Sequence, residues 1–167
     1  MIVLKFDGLC EPINPRGIAC YGFIIYSGGV NVYSENGFVG AGMFGDDVSN
    51  NVAEYIALIK GLKWLVENGL YDNEVVVQGD SQLVIYQLNH IYGVHAYRII
   101  PLYEQAQKLI KNFKKIRFEW IPREKNSDAD ALSRRAYIEF VKKHYHDVKK
   151  YYGRVSSPRM KFSFDET

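Results

Sequence analysis

The sequence predicts an α/β domain built on a five-stranded mixed sheet, an antiparallel meander of strands one to three followed by parallel strands four and five, with helices on both faces. Three observations lead there. Residues 2–39 hold three β-prone runs separated by turn-forming residues. Residues 52–69 carry apolar side chains at helical spacing, and Val75, Val76 and Val77 make the continuous apolar run of a strand covered on both faces.

Taken in order, residues 2–6 form the first strand, which ends at Asp7-Gly8, where glycine permits a turn. Residues 12–17, with two prolines and a glycine, read as loop. Residues 19–27 and 30–39 flank Gly28-Gly29 and so form a hairpin. A glycine-rich connection over 40–45 and a polar stretch over 46–51 lead to a helix over 52–69, with Val52, Ile56, Ile59, Leu62 and Val66 on one stripe. The valine strand stops at Gly79-Asp80. Ser81 caps a short helix through 89, Pro101 starts another through about 113, and residues 116–121 make the fifth strand. The last helix, 127–145, opens on a Ser-x-x-Asp capping signature and aligns Ala129, Leu132, Ala136 and Phe140.

A length of 167 residues suits one domain, expected over 1–147, followed by a basic and aromatic tail over 148–167 that is expected to be loosely held or disordered beyond Gly153. Hydrophobic residues make up 47% and charged residues 24%, which excludes a wholly disordered chain. No run approaches the roughly 18 apolar residues that cross a bilayer, and Met1 leads directly into a strand rather than a signal segment, so a soluble, cytoplasmic monomer is expected. Cys10 and Cys20 offer neither a disulfide framework nor paired metal-ligand spacing. A net charge of +2 is too small to establish a polyanionic partner by its sum. Its distribution says more, because Lys142, Lys143, Lys149, Lys150, Arg154, Arg159 and Lys161 crowd the carboxyl end among Tyr145, Tyr151 and Tyr152.

Four acids fall at predicted element ends: Asp7 after the first strand, Glu54 in the first helical turn, Asp80 after the valine strand and Asp130 at the start of the last helix. Singly, each has an ordinary explanation as turn, dipole partner or cap. Together they can converge, because strand-end aspartates of adjacent parallel strands emerge at one edge. Carboxylates gathered without arginine partners repel one another and are best matched by bound cations, with oxygen donors selecting Mg²⁺ or Mn²⁺. Two such ions support phosphoryl transfer.

The local contexts add a resemblance. Phe6-Asp7-Gly8, Asn14-Pro15, the run from Ser49 to Glu54, Gly79-Asp80-Ser81-Gln82 and Pro122-Arg123-Glu124-Lys125-Asn126 leading into Ala129-Asp130-Ala131-Leu132-Ser133 resemble type 1 ribonuclease H, in that family's order and across most of residues 1–145. The resemblance implies a ribonuclease H-like fold and an endonuclease that hydrolyses the RNA strand of RNA/DNA hybrids with two Mg²⁺ or Mn²⁺ ions, leaving 5′-phosphate and 3′-hydroxyl ends. It implies that Asp7, Glu54, Asp80 and Asp130 are catalytic and metal-binding, with Gly8 in the metal-binding set. Asp130 is preferred over Asp128 by its position before the leucine, and Asp128 stays a substitute or cap. Asn14, Ser49, Asn50, Gln82, Arg123 and Lys125 are the implied substrate contacts, Ser49 and Asn50 at a DNA phosphate. Neutral amides suit a minor groove that displays 2′-hydroxyls.

The chain departs from that pattern in two places. The basic handle that many members carry is missing, since residues 89–100 hold only Arg98 as a fixed cation. Arg123, Lys125, Arg134, Arg135 or the tail are the candidate substitutes. The loop before Asp130 has no histidine, and His90, His95, His144 and His146 read as structural or solvent-facing. Double-stranded RNA, RNA-DNA junctions or DNA are alternative substrates, and a non-catalytic hybrid-binding module is the alternative of a different class.

Overall fold

The structure, a computed structural model, describes residues 1–153. The tail expected beyond Gly153, with Arg154, Arg159 and Lys161, lies outside the described residues. Ten principal elements follow in order: β1 (Ile2–Glu11), β2 (Ile18–Ser27), β3 (Val30–Ala41), α1 (Asn50–Glu67), β4 (Glu74–Gly79), α2 (Gln82–Leu88), α3 (Ile100–Ile110), β5 (Lys115–Trp120), α4 (Ser127–Lys143) and α5 (Tyr145–Tyr152). The strands form one sheet in the order β3-β2-β1-β4-β5, antiparallel from β3 to β1 and parallel from β1 to β5. The predicted mixed sheet is the observed one.

Strand β1 does not end at Phe6. It pairs with β2 from Ile2↔Ser27 to Glu11↔Ile18, but with β4 only from Ile2↔Val75 to Lys5↔Gln78. β1 therefore outruns its parallel neighbour, and Asp7 lies where that neighbour has stopped. Asp7-Gly8 makes no turn because the glycine serves packing instead. A Cβ on Gly8 would sit 2.4 Å from the backbone of Ala53 and Glu54, so its absence lets α1 touch the strand directly. The register partner of Asp7 is Gly22, where a Cβ would meet Leu132 Cβ at 2.7 Å and Ala129 O at 2.8 Å. Two neighbouring glycines thus admit α1 and α4 to backbone contact on either side of Asp7.

Two apolar cores result. Leu4, Phe6, Tyr55, Leu58, Leu62 and Val77 fill the one under α1, and Leu9, Ile18, Tyr137, Val141 and Val148 fill the one under α4 and α5. Each such buried side chain contributes about 1.5 to 3 kcal/mol over an exposed one. Cys10 belongs to the first core and Cys20 to the second, and neither is in a disulfide.

Helix α1 starts at Asn50 rather than at 52, because Ser49 Oγ accepts from Val52 N at 3.1 Å and caps it. The single helix expected over 127–145 is broken at His144. That ring stacks on Phe140 with centroids 4.3 Å apart, and its Nδ1 lies 3.1 Å from Phe140 O, a contact that competes with the helical ladder. The chain then turns into α5, which buries Val148 and crosses the boundary expected at residue 147. Tyr152 fastens it, donating to Arg16 O at 3.1 Å and accepting from Met43 N at 3.2 Å. The capping box expected at Ser127 does not form. Asn126 is the N-cap, makes no side-chain cap bond, and donates from Nδ2 to Phe6 O at 3.0 Å.

Candidate active site

Three of the four acids meet. Asp80 follows the last residue of β4, and parallel pairing brings it to the edge where β1 carries Asp7. Glu54 comes to the same place from α1 through the close approach at Gly8. Carboxylate oxygens of Asp7, Glu54 and Asp80 lie within 4.8 Å of one another, although Asp7 is 0% and Glu54 2% exposed. Burying like charges at such range is costly unless cations offset it. An all-carboxylate donor set fits a hard divalent ion such as Mg²⁺ or Mn²⁺.

Asp130 stands apart from that trio. The expectation that the acids gather without arginine partners is wrong for it: Arg134 Nε lies 3.2 Å from its Oδ1 and Arg123 Nη2 3.9 Å from its Oδ2. The i,i+4 spacing of Asp130 and Arg134 on α4 was the signal for this pair. Arg134, one of the candidate substitutes for the basic handle, is buried and also holds Glu11 at 3.2 Å. Asp128 is occupied elsewhere, accepting from Tyr26 OH at 2.6 Å. Burial, with that bond and the carboxylate charge, pushes the Tyr26 hydroxyl up to about 12. Asp130, beside Arg123, remains the fourth candidate.

A cleft of about 480 Å³ opens over this edge. Glu54 and Asp80 line it, with the amides Asn50, Asn51 and Gln82, the rings of Tyr92 and Trp120, and Arg123. Of the expected substrate contacts, Asn50, Gln82 and Arg123 are therefore present. Asn14 is joined to Asn50 by two bonds, from its Nδ2 to Asn50 Oδ1 at 2.7 Å and from Asn50 N to its Oδ1 at 3.0 Å. Ser49 is buried, with its hydroxyl used as the cap of α1, so it does not present that group to a phosphate. Lys125 is exposed outside the cleft lining, and its carbonyl accepts from Lys5 Nζ at 3.0 Å. Gly8 supplies clearance rather than a side chain. Asn51, Tyr92 and Trp120 were missed. Trp120 was reachable by the rule that found Asp80, since it ends the strand parallel to β4, and its Nε1 donates to Asp80 O at 3.1 Å.

No histidine lines the cleft among the described residues. The remnant of the handle is tied down: Arg98 donates to Asp47 Oδ1 at 3.1 Å and Tyr97 OH donates to the same carboxylate, which joins the 89–99 segment to the loop before α1.

The reverse transcriptase-like family matches residues 19–136. RNase H1 of the archaeon Halobacterium salinarum superposes with a TM-score of 0.73 at 30% identity, over 83% of this chain and 98% of that one. The chain belongs to the ribonuclease H family. Another ribonuclease H structure, LC11-RNase H1 in complex with an RNA/DNA hybrid, gives a TM-score of 0.73 at 31% identity, covering 81% and 96% of the two chains. A bifunctional protein of Mycobacterium tuberculosis is 35% identical over 132 residues, which are 79% of this chain. The ribonuclease H chain spans about a third of the length of that mycobacterial relative, 34%.

Proposed function

We propose that this ribonuclease H domain is an endonuclease that hydrolyses the RNA strand of RNA/DNA hybrids with two divalent ions, leaving 5′-phosphate and 3′-hydroxyl ends. The observation that carries the reading is the trio Asp7, Glu54 and Asp80, three converging carboxylates of which Glu54 and Asp80 line a solvent-open cleft. Divalent ions held there would activate a water and offset charge on the scissile phosphate. The chain's own residues do the rest. Asp7, Glu54 and Asp80 hold the cations from a floor fixed by backbone contact with α1, and Asp130 supplies a fourth carboxylate from α4. Asn50 and Gln82 offer amides that both donate and accept, matching the 2′-hydroxyls and base edges of a shallow minor groove. The Asn14 clasp holds Asn50 in place, and Arg123 supplies a phosphate partner at the mouth. The hybrid as ligand is supported by likeness to the RNase H1 solved with one.

The test uses end-labelled RNA annealed to DNA, annealed to RNA, or left single, each with Mg²⁺, Mn²⁺ or chelator. Cleavage of the hybrid alone, abolished by chelator, is the expected result. Equal cutting of double-stranded RNA would move the substrate class, and binding without cutting under every metal would leave only a hybrid-binding module.

A further inference from the structure

Glu11 is a buried charged group that hybrid cleavage does not use. Its side chain is fully buried at the end of β1, and a buried carboxylate needs a matching cation. Arg134 supplies one: its Nη1 lies 3.2 Å from Glu11 Oε2, while Nε of the same guanidinium lies 3.2 Å from Asp130 Oδ1. A single positive group is therefore divided between two carboxylates, one of them the fourth acid of the site. Both anchors are rigid, since Glu11 is paired to Ile18 and Arg134 sits one turn along α4 from Asp130. Arg123 also approaches Asp130, but at 3.9 Å and with a side chain 47% exposed, so solvent screens it more.

We propose that Arg134, held in place by Glu11, is a positioning residue for Asp130 and serves there as a resident counter-cation. Divalent ions fill the Asp7, Glu54 and Asp80 group first, and an ion that uses Asp130 must compete with the guanidinium. This rests on the divalent-ion reading above. It has a distinctive electrostatic consequence. Neutralising Glu11 turns the whole charge of Arg134 toward Asp130 and weakens the second ion. Removing the Glu11 and Arg134 charges together relieves Asp130 of the guanidinium beside it, while Arg123 stays in its screened position, and strengthens the second ion.

Mn²⁺ titrations of the protein without nucleic acid, followed by electron paramagnetic resonance and calorimetry, separate these effects. The first midpoint is expected to be the same in wild type, Glu11→Gln and the double variant Glu11→Gln/Arg134→Gln. The second is expected to rise roughly threefold in Glu11→Gln and to fall roughly tenfold in the double variant, the size expected of one partly screened charge contact. A role confined to stability would not move the two variants in opposite directions. Shifts of the same sign, or an unmoved second midpoint, would overturn the proposal and leave the cleavage reading intact. Absence of any bound ion in the wild type would overturn both. If the double variant fails to fold, Glu11→Gln decides alone: a raised second midpoint supports the counter-cation, and an unchanged or lowered one overturns it.

Discussion

Asp80 is the acid whose role separates most cleanly from structure, because it follows β4, is partly exposed, and touches the cleft rather than either core. Asp80→Asn keeps the shape and removes one metal-directed charge. It is expected to lower turnover by roughly a thousandfold, about 4 kcal/mol of barrier, while hybrid affinity measured in chelator changes little. Gly8→Ala probes the same site through space. The added methyl would overlap the backbone of Ala53 and Glu54, so α1 must retreat, with an expected loss of about 1 to 3 kcal/mol in denaturant unfolding and a weaker Mn²⁺ titration. The acids were legible through their joint pattern at predicted element ends and the resemblance of their contexts to type 1 ribonuclease H, since singly each had an ordinary explanation. Arg134 stood among the candidate handle substitutes because its partner Glu11 is remote in sequence and brought near only by the contact of α4 with the sheet.

At the scale of elements, periodicity and turn residues recovered the strand and helix types, while boundaries failed wherever tertiary contact overrode a local signal. Asp7-Gly8 carries a turn signature, yet pairing to β2 carries the strand on through Glu11. Ser49 was a substrate contact only as the resemblance implied, and its role as a cap appears once α1 begins at Asn50. The tie between the 89–99 segment and Asp47 could not be read from sequence, since its partners are about fifty positions apart. That tie has a pH signature. Bonds from Tyr97 and Arg98 hold the Asp47 carboxyl below its ordinary value of 3.8. A depressed carboxyl stabilises fully above the ordinary value and loses that contribution as pH falls through the folded one. Loosening of the segment is therefore expected only on acidification below 3.8, with Asp47→Asn reproducing it at neutral pH as faster amide exchange over 89–99.

For the whole molecule, the expected division at residue 147 cuts through α5. A chain ending at 147 loses fully buried Val148 and both bonds of Tyr152, whereas one ending at Gly153 keeps them and serves as the reference. The shorter chain is expected to unfold about 2 to 4 kcal/mol more easily in urea. Tail composition had obscured this, because the lysines and tyrosines of α5 hide one apolar anchor, Val148, among seven exposed or half-exposed neighbours.

The paired glycines beside Asp7 bear on how the protein fails when heated. Helices resting directly on main chain leave no compressible layer between the acidic floor and the two cores, so the floor has no independent way to soften. Residual activity plotted against incubation temperature is expected to superimpose on the loss of far-ultraviolet ellipticity. Inactivation ahead of that curve would mean that the floor and the cores melt as separate units.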